Sequence, residues 1–219
     1  MGEDAWPIWP SVAGFVDHSD SGVSAEAVRF FIGSGDKKAL LYALSIRQKE
    51  KLLPLFRRAL LDHFMILRRN AAIALRYYPE YRLIVVPSLL VPLSDSSPYV
   101  RLEAARSLNM VDAVGASRAG AVKAVIEVLK NDRSIGAMEA VYALGEFQTE
   151  TKVAVTALIE ALQSTNILVP GAAHKTLMEK FSADVITPEL IKAIERHNGT
   201  SQKATAILRQ LELSRPATE

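Results

Sequence analysis

Five alanines, Ala71, Ala104, Ala140, Ala173 and Ala204, are each followed four residues later by a leucine: Leu75, Leu108, Leu144, Leu177 and Leu208. Successive pairs lie 31 to 36 residues apart. A period in that range belongs to stacked supersecondary units, none of which buries its apolar side alone. The spacing of four puts alanine and leucine on one helical face, a turn apart. There the small residue permits close approach of a second helix, and the leucine fills the space beside it.

A second column precedes the first. Pro54, Pro87, Lys123 and Thr156 stand 17 residues before their alanines and Pro188 stands 16 before its own, each followed by apolar positions at i+2, i+3 and i+6. Every unit therefore reads as two helices, an A helix ending in a polar turn and a B helix carrying the alanine. The A-helix prolines are expected in an early turn, where a missing N–H costs little or bends the helix. Pro170, Gly171 and Gly136 read as helix-start residues for the same reason. Asp36 opens a further segment whose Leu40 and Leu44 precede Ala71 and Leu75 by 31 residues, so a divergent sixth unit, with Ser24 to Ile32 as its first helix, is expected at the N-terminal end. The expected organisation is an N-terminal tail (1–22), one all-α repeat domain of about five to six units (23–212) and a short C-terminal tail (213–219).

The stretch from Pro87 through Asp95 to Val100-Arg-Leu-Glu-Ala-Ala-Arg-Ser-Leu108 resembles HEAT or HEAT-like repeats, and the resemblance extends over roughly residues 24–212. It implies a right-handed α-solenoid with the B helices on the concave side. It also implies a ladder between repeats, built from a turn aspartate and a following arginine. Asp62 with Arg68 and Asp95 with Arg101 match that pattern, whereas Asn131 with Ala137 and Ser164 with Pro170 depart from it. Any ladder is expected only in the N-terminal half.

Composition narrows the function classes. With 219 residues, 49% of them apolar, the chain can bury a sizeable core. It has no cysteine, which removes disulfides, thiolate metal sites and cysteine nucleophiles and fits a reducing compartment. The apolar run from Leu83 to Leu93 holds two prolines and is about half a membrane span. Glu3 and Asp4 stand where a signal peptide carries basic residues. A cytoplasmic location without membrane association is the expectation. A net charge of +2 conceals an asymmetry: residues 1–22 carry four acids and no lysine or arginine, residues 23–111 carry 14 basic against 7 acidic residues, and residues 112–219 carry 12 against 13. The basic half can attract an acidic protein, nucleic acid or the chain's own acidic tail.

Catalytic patterns are absent from the sequence. His18, His63, His174 and His197 never pair at metal-ligand spacing, so no metal and no cofactor are expected. The His-Glu pairs of HEAT-type deoxyhypusine hydroxylases do not occur. Gly33 to Lys38 lacks phosphate-loop spacing and reads as a turn capped by Ser34 or Asp36. No G-x-S-x-G elbow is present.

Helical periodicity directs the positions two and five residues after each alanine, and two before it, away from the core. They are Ile73 and Arg76, Arg106 and Asn109, Tyr142 and Gly145, Lys175 and Met178, Ala206 and Arg209, preceded by Arg69, Leu102, Met138, Gly171 and Gln202. This face is cationic with apolar and aromatic area, and no carboxylate falls in its columns. The nearest acids, Glu103 and Glu139, are expected to pair with Arg106 or to flank the core. The leading reading is a non-catalytic scaffold that takes an acidic protein or peptide on Arg69, Arg76, Arg106, Asn109, Tyr142, Lys175 and Met178. An alternative is nucleic-acid binding, with a resemblance in architecture to HEAT-like alkylpurine DNA glycosylases. A third reading, a lyase or chaperone subunit, rests on the likeness of the Gly136–Phe147 stretch to phycobilin-lyase repeats. Trp6 and Trp9, in the acidic tail, either cover the end of the first repeat or anchor a partner.

Overall fold

The computed structural model describes residues 26–27, 49–131 and 135–181. Among them there are helices and turns and no strand. Four A–B pairs are seen: α1 (Lys49–Ala59) with α2 (Met65–Leu75), α3 (Arg82–Leu90) with α4 (Pro98–Val111), α6 (Ala121–Asn131) with α7 (Ile135–Leu144), and α8 (Thr151–Ala161) with α9 (Val169–Lys180). A short α5 (Ala113–Arg118) lies between α4 and α6. It accounts for the long interval between Ala104 and Ala140. Gly120, at φ 75°, turns the chain from α5 into α6, a backbone conformation that residues with a Cβ rarely adopt. Among the described residues the fold is all-α, built of two-helix repeats.

Ala71, Ala104, Ala140 and Ala173, and Leu75, Leu108, Leu144 and Leu177, are all fully buried. Each buried leucine contributes about 1.5–3 kcal/mol of transfer free energy, so these columns are a main source of cohesion. The fifth pair, Ala204 and Leu208, with Pro188, lies outside the described residues. So do Trp6, Trp9, both tails and most of the sixth unit, of which Glu26 and Ala27 are helical.

The chain divides into two compact units, Met1–Asp112 and Ala113–Glu219. In the first, α1 packs on α2, α2 on α4 and α3 on α4. Phe56 of α1 meets Tyr78 edge-on, with ring centroids 5.9 Å apart. Burial, helped by the nearby Glu80 and Tyr81, lifts the Tyr78 phenol above its ordinary range. In the second unit α6 packs on α7, α7 on α9 and α8 on α9, around a core that includes Val125, Leu144, Phe147 and Leu158.

The A-helix prolines sit deeper than an early turn. Pro54 and Pro87 are each the sixth residue of their helix. Both are exposed, so the carbonyl four residues back that loses its N–H partner is on a side water can reach. Pro170 does lie in the first turn of its helix.

Candidate functional site

Three of the B helices, α2, α4 and α9, begin from a shared turn. Asp62 Oδ1 accepts the Phe64 N–H at 2.9 Å, and Asp95 Oδ1 accepts the Ser97 N–H at 2.8 Å. Ser164, in the same register, accepts the Asn166 N–H through its hydroxyl at 3.2 Å. These side chains satisfy N–H groups that precede the B helix. The ladder is built on the same aspartates. Arg68 donates Nε–H to Asp95 Oδ2 at 2.7 Å and Nη2–H to Asp95 Oδ1 at 2.9 Å, a bidentate pair joining one repeat to the next. Its Nη1 also holds the Asp62 carbonyl at 2.9 Å, and Arg101 Nη1 holds the Asp95 carbonyl at 2.6 Å. Burial alone would push the Asp95 carboxyl up. Hydrogen bonds from Arg68 and Ser97, with the charges of Arg68 and Arg101, prevail and hold it below the usual carboxylate range. In the second unit the turn persists at Ser164, but Ala137 stands at the position of Arg68 in the preceding repeat and has no guanidinium to offer it, so the rung is lost there.

A second charge cluster lies where the B-helix face was expected. Arg69 on α2, Arg76 just beyond it and Arg106 on α4 all turn toward Glu103. Arg76 Nη2 approaches Glu103 Oε2 at 2.5 Å, and its Nε donates to Ser107 Oγ at 3.2 Å. Arg69 Nη2 lies 3.4 Å and Arg106 Nη1 3.8 Å from Glu103 Oε1. The Glu103 side chain is 6% exposed and that of Arg76 12%, whereas Arg69 and Arg106 retain 29% and 26%. The Arg69 guanidinium also stands 5.9 Å from the Tyr99 ring centroid. Asn109 is half-buried on α4, one turn beyond Arg106.

The pairing of Glu103 with Arg106 was legible as an i,i+3 contact. The two arginines from the preceding repeat were missed, although the signal was present. Arg69 sits two positions before Ala71 and Glu103 one before Ala104, so stacking consecutive repeats brings them side by side. Tyr99 carried no such signal.

In the second unit Tyr142 on α7 and Lys175 and Met178 on α9 are exposed, with Lys175 Nζ 4.0 Å from Glu179 of its own helix. Two face positions depart from expectation. Leu102 is fully buried, although Arg69 at the same register reaches solvent: a long cationic side chain emerges from a covered Cβ and a leucine cannot. Gly145 is buried too. A Cβ there would lie 2.6 Å from Thr176 Cγ2 and 3.1 Å from Lys180 Cγ, so α9 occupies the space a side chain would need. Ala206, Arg209 and Gln202 lie outside the described residues.

Among the described residues, no three acidic or histidine side chains gather as a metal site, and no helix is long and apolar enough to cross a membrane. The family described as HEAT repeats matches residues 86–178. No curated protein matches the chain. Among solved structures, an engineered protein is 21% identical, with 97% of this chain and 100% of that one covered at a TM-score of 0.54. A designed armadillo repeat protein is 17% identical, with 93% and 99% covered at 0.52. At those identities the likeness is one of fold.

Proposed function

Because the chain is built of HEAT-like repeats, we propose that it is a non-catalytic scaffold that binds an acidic protein or peptide on its B-helix face. The observation that carries this reading is the convergence of Arg69, Arg76 and Arg106 from adjacent repeats on the single carboxylate of Glu103. Guanidiniums are planar forks suited to carboxylates, and the partly exposed pair, Arg69 and Arg106, is placed to receive them from outside. In the second unit, exposed Tyr142, Lys175 and Met178 offer the mixed aromatic, cationic and adaptable apolar contacts common at interfaces. Nothing in the described geometry favours the lyase reading.

The test must spare Arg76. Reversing its charge would set a second carboxylate beside that of Glu103 and confound binding with folding. The pair Arg69→Gln with Arg106→Gln removes the outer guanidiniums only. A fluorescent glutamate-rich peptide should bind the wild-type chain with an affinity that falls with salt, and the double variant about tenfold or more weakly, the loss expected for charge-assisted hydrogen bonds. Equal binding by both proteins rejects this face. Tighter binding of duplex DNA than of the peptide at matched salt moves the assignment to nucleic acid.

A further inference from the structure

We propose that the Arg69–Arg76–Arg106 cluster is a receptor for a phosphoryl dianion, carried as a phosphorylated serine or threonine by the protein partner. This rests on the acidic-partner reading and narrows it. Three like charges brought together by two adjacent B helices repel one another, and the buried Glu103 carboxylate is the group that tolerates the arrangement. Its hold on them is unequal. Arg76 is fixed at 2.5 Å and anchored again on Ser107, while Arg69 and Arg106 stand at 3.4 and 3.8 Å and are the more exposed. The inner arginine is therefore a fixed wall of the site. The outer two keep exposed surface on the solvent side, where an external oxyanion would meet them, and Tyr99 stands beside Arg69.

The three guanidiniums also set which anion is held best. A carboxylate ligand brings a single negative charge and two acceptor oxygens. A phosphomonoester brings about −1.5 to −2 at neutral pH and three strong acceptor oxygens, enough to engage Arg69, Arg76 and Arg106 at once. A nucleic-acid backbone offers one charge per phosphate spread along a strand, which is served by a line of basic residues rather than by a knot around an acid. Glu103 thus acts as a positioning residue that holds the three guanidiniums together.

The experiment compares one fluorescent peptide in three forms, carrying serine, phosphoserine or glutamate at its centre, against the full chain. The phosphoserine form is expected to bind at least about tenfold more tightly than the glutamate form, the difference expected of an added charge-assisted contact. Inorganic phosphate should displace it, and acetate at equal ionic strength should not. Arg106→Gln, at a partly exposed position, should lose most of the preference with its helical circular dichroism unchanged. Glu103→Gln, which makes the cluster one charge more positive, should tighten both anionic peptides and the phosphoserine form more, which a merely structural role would not do. If that variant fails to fold, the Arg106→Gln comparison decides alone. Equal binding of the glutamate and phosphoserine forms overturns the phosphoryl assignment and leaves the acidic-partner reading standing. Failure of both anionic forms at low salt removes both readings, and binding of duplex DNA in place of either peptide assigns the cluster to nucleic acid.

Discussion

The seam between B helices α2 and α4 in the first unit is joined by charge, and the seam between α7 and α9 in the second by close packing. Across the first seam run the bidentate Arg68–Asp95 pair and the arginines around Glu103. At the second, Gly145 lies under Thr176 with no space for a methyl group, and the Thr176 hydroxyl is buried with no hydrogen-bond partner among the described residues. Both carry the same alanine and leucine columns, fully buried. The difference shows that the columns fix which helices meet, while the residues flanking them decide whether the seam also displays charge. Charged stitching leaves guanidiniums partly at the surface; beside the packed seam Tyr142, Lys175 and Met178 are exposed.

The contrast can be broken most severely at Glu103. Replacing it with alanine leaves three guanidiniums without their carboxylate and should cost about 3 kcal/mol, seen as a lower midpoint in urea. Next comes Asp95→Ala, which strips the Arg68 pair and the Ser97 N–H of their acceptor and should cost about 2 kcal/mol. The Asp95 contribution also has a pH signature. Its carboxyl is depressed in the fold, so its stabilisation is complete above the ordinary aspartate value near 3.9 and is lost as pH falls through the lower folded value. Stability measured from pH 5 down to pH 2.5 should therefore fall less steeply in Asp95→Asn than in the wild-type chain, and parallel curves would show that the pair does not titrate as described.

The packed seam should respond to size rather than charge. Gly145→Ala forces a Cβ against Thr176 and should cost about 1–2 kcal/mol. Combining it with Thr176→Ser, which removes the opposing methyl, should restore part of the loss in a double-mutant cycle. The smallest effect is a gain: Thr176→Val keeps the shape, removes the unsatisfied hydroxyl and should raise stability by about 1 kcal/mol. Destabilisation by that change would mean the hydroxyl is served by ordered water.

The helix pairing was legible because alanine and leucine at i,i+4 have a single physical use at this period. The ladder was legible as local spacing, Asp62 to Arg68 and Asp95 to Arg101, yet its inter-repeat member is Arg68 with Asp95, a contact that stacking creates. The Glu103 cluster was half legible for the same reason: Arg106 is a neighbour on the same helix, and Arg69 and Arg76 become neighbours only through the repeat offset. Leu102 and Gly145 were misplaced because helical angle was taken for exposure. Exposure also depends on how far the side chain reaches and on what packs over it. Pro54 and Pro87 were placed too early because their helices begin several residues upstream, in segments without a clear capping signal.

Arginines on both kinds of helix provide an internal control for the proposal that the B-helix face of the first unit receives acidic ligands. Arg57, Arg58 and Arg82 are exposed on A helices, and Arg69, Arg76 and Arg106 surround Glu103. Titrating a glutamate-rich peptide into 15N-labelled protein and following the arginine Nε–Hε resonances should shift the signals of Arg69 and Arg106 most, then Arg76, with Arg57, Arg58 and Arg82 unmoved. Saturable shifts of the A-helix arginines, with the Glu103 cluster silent, would contradict the account.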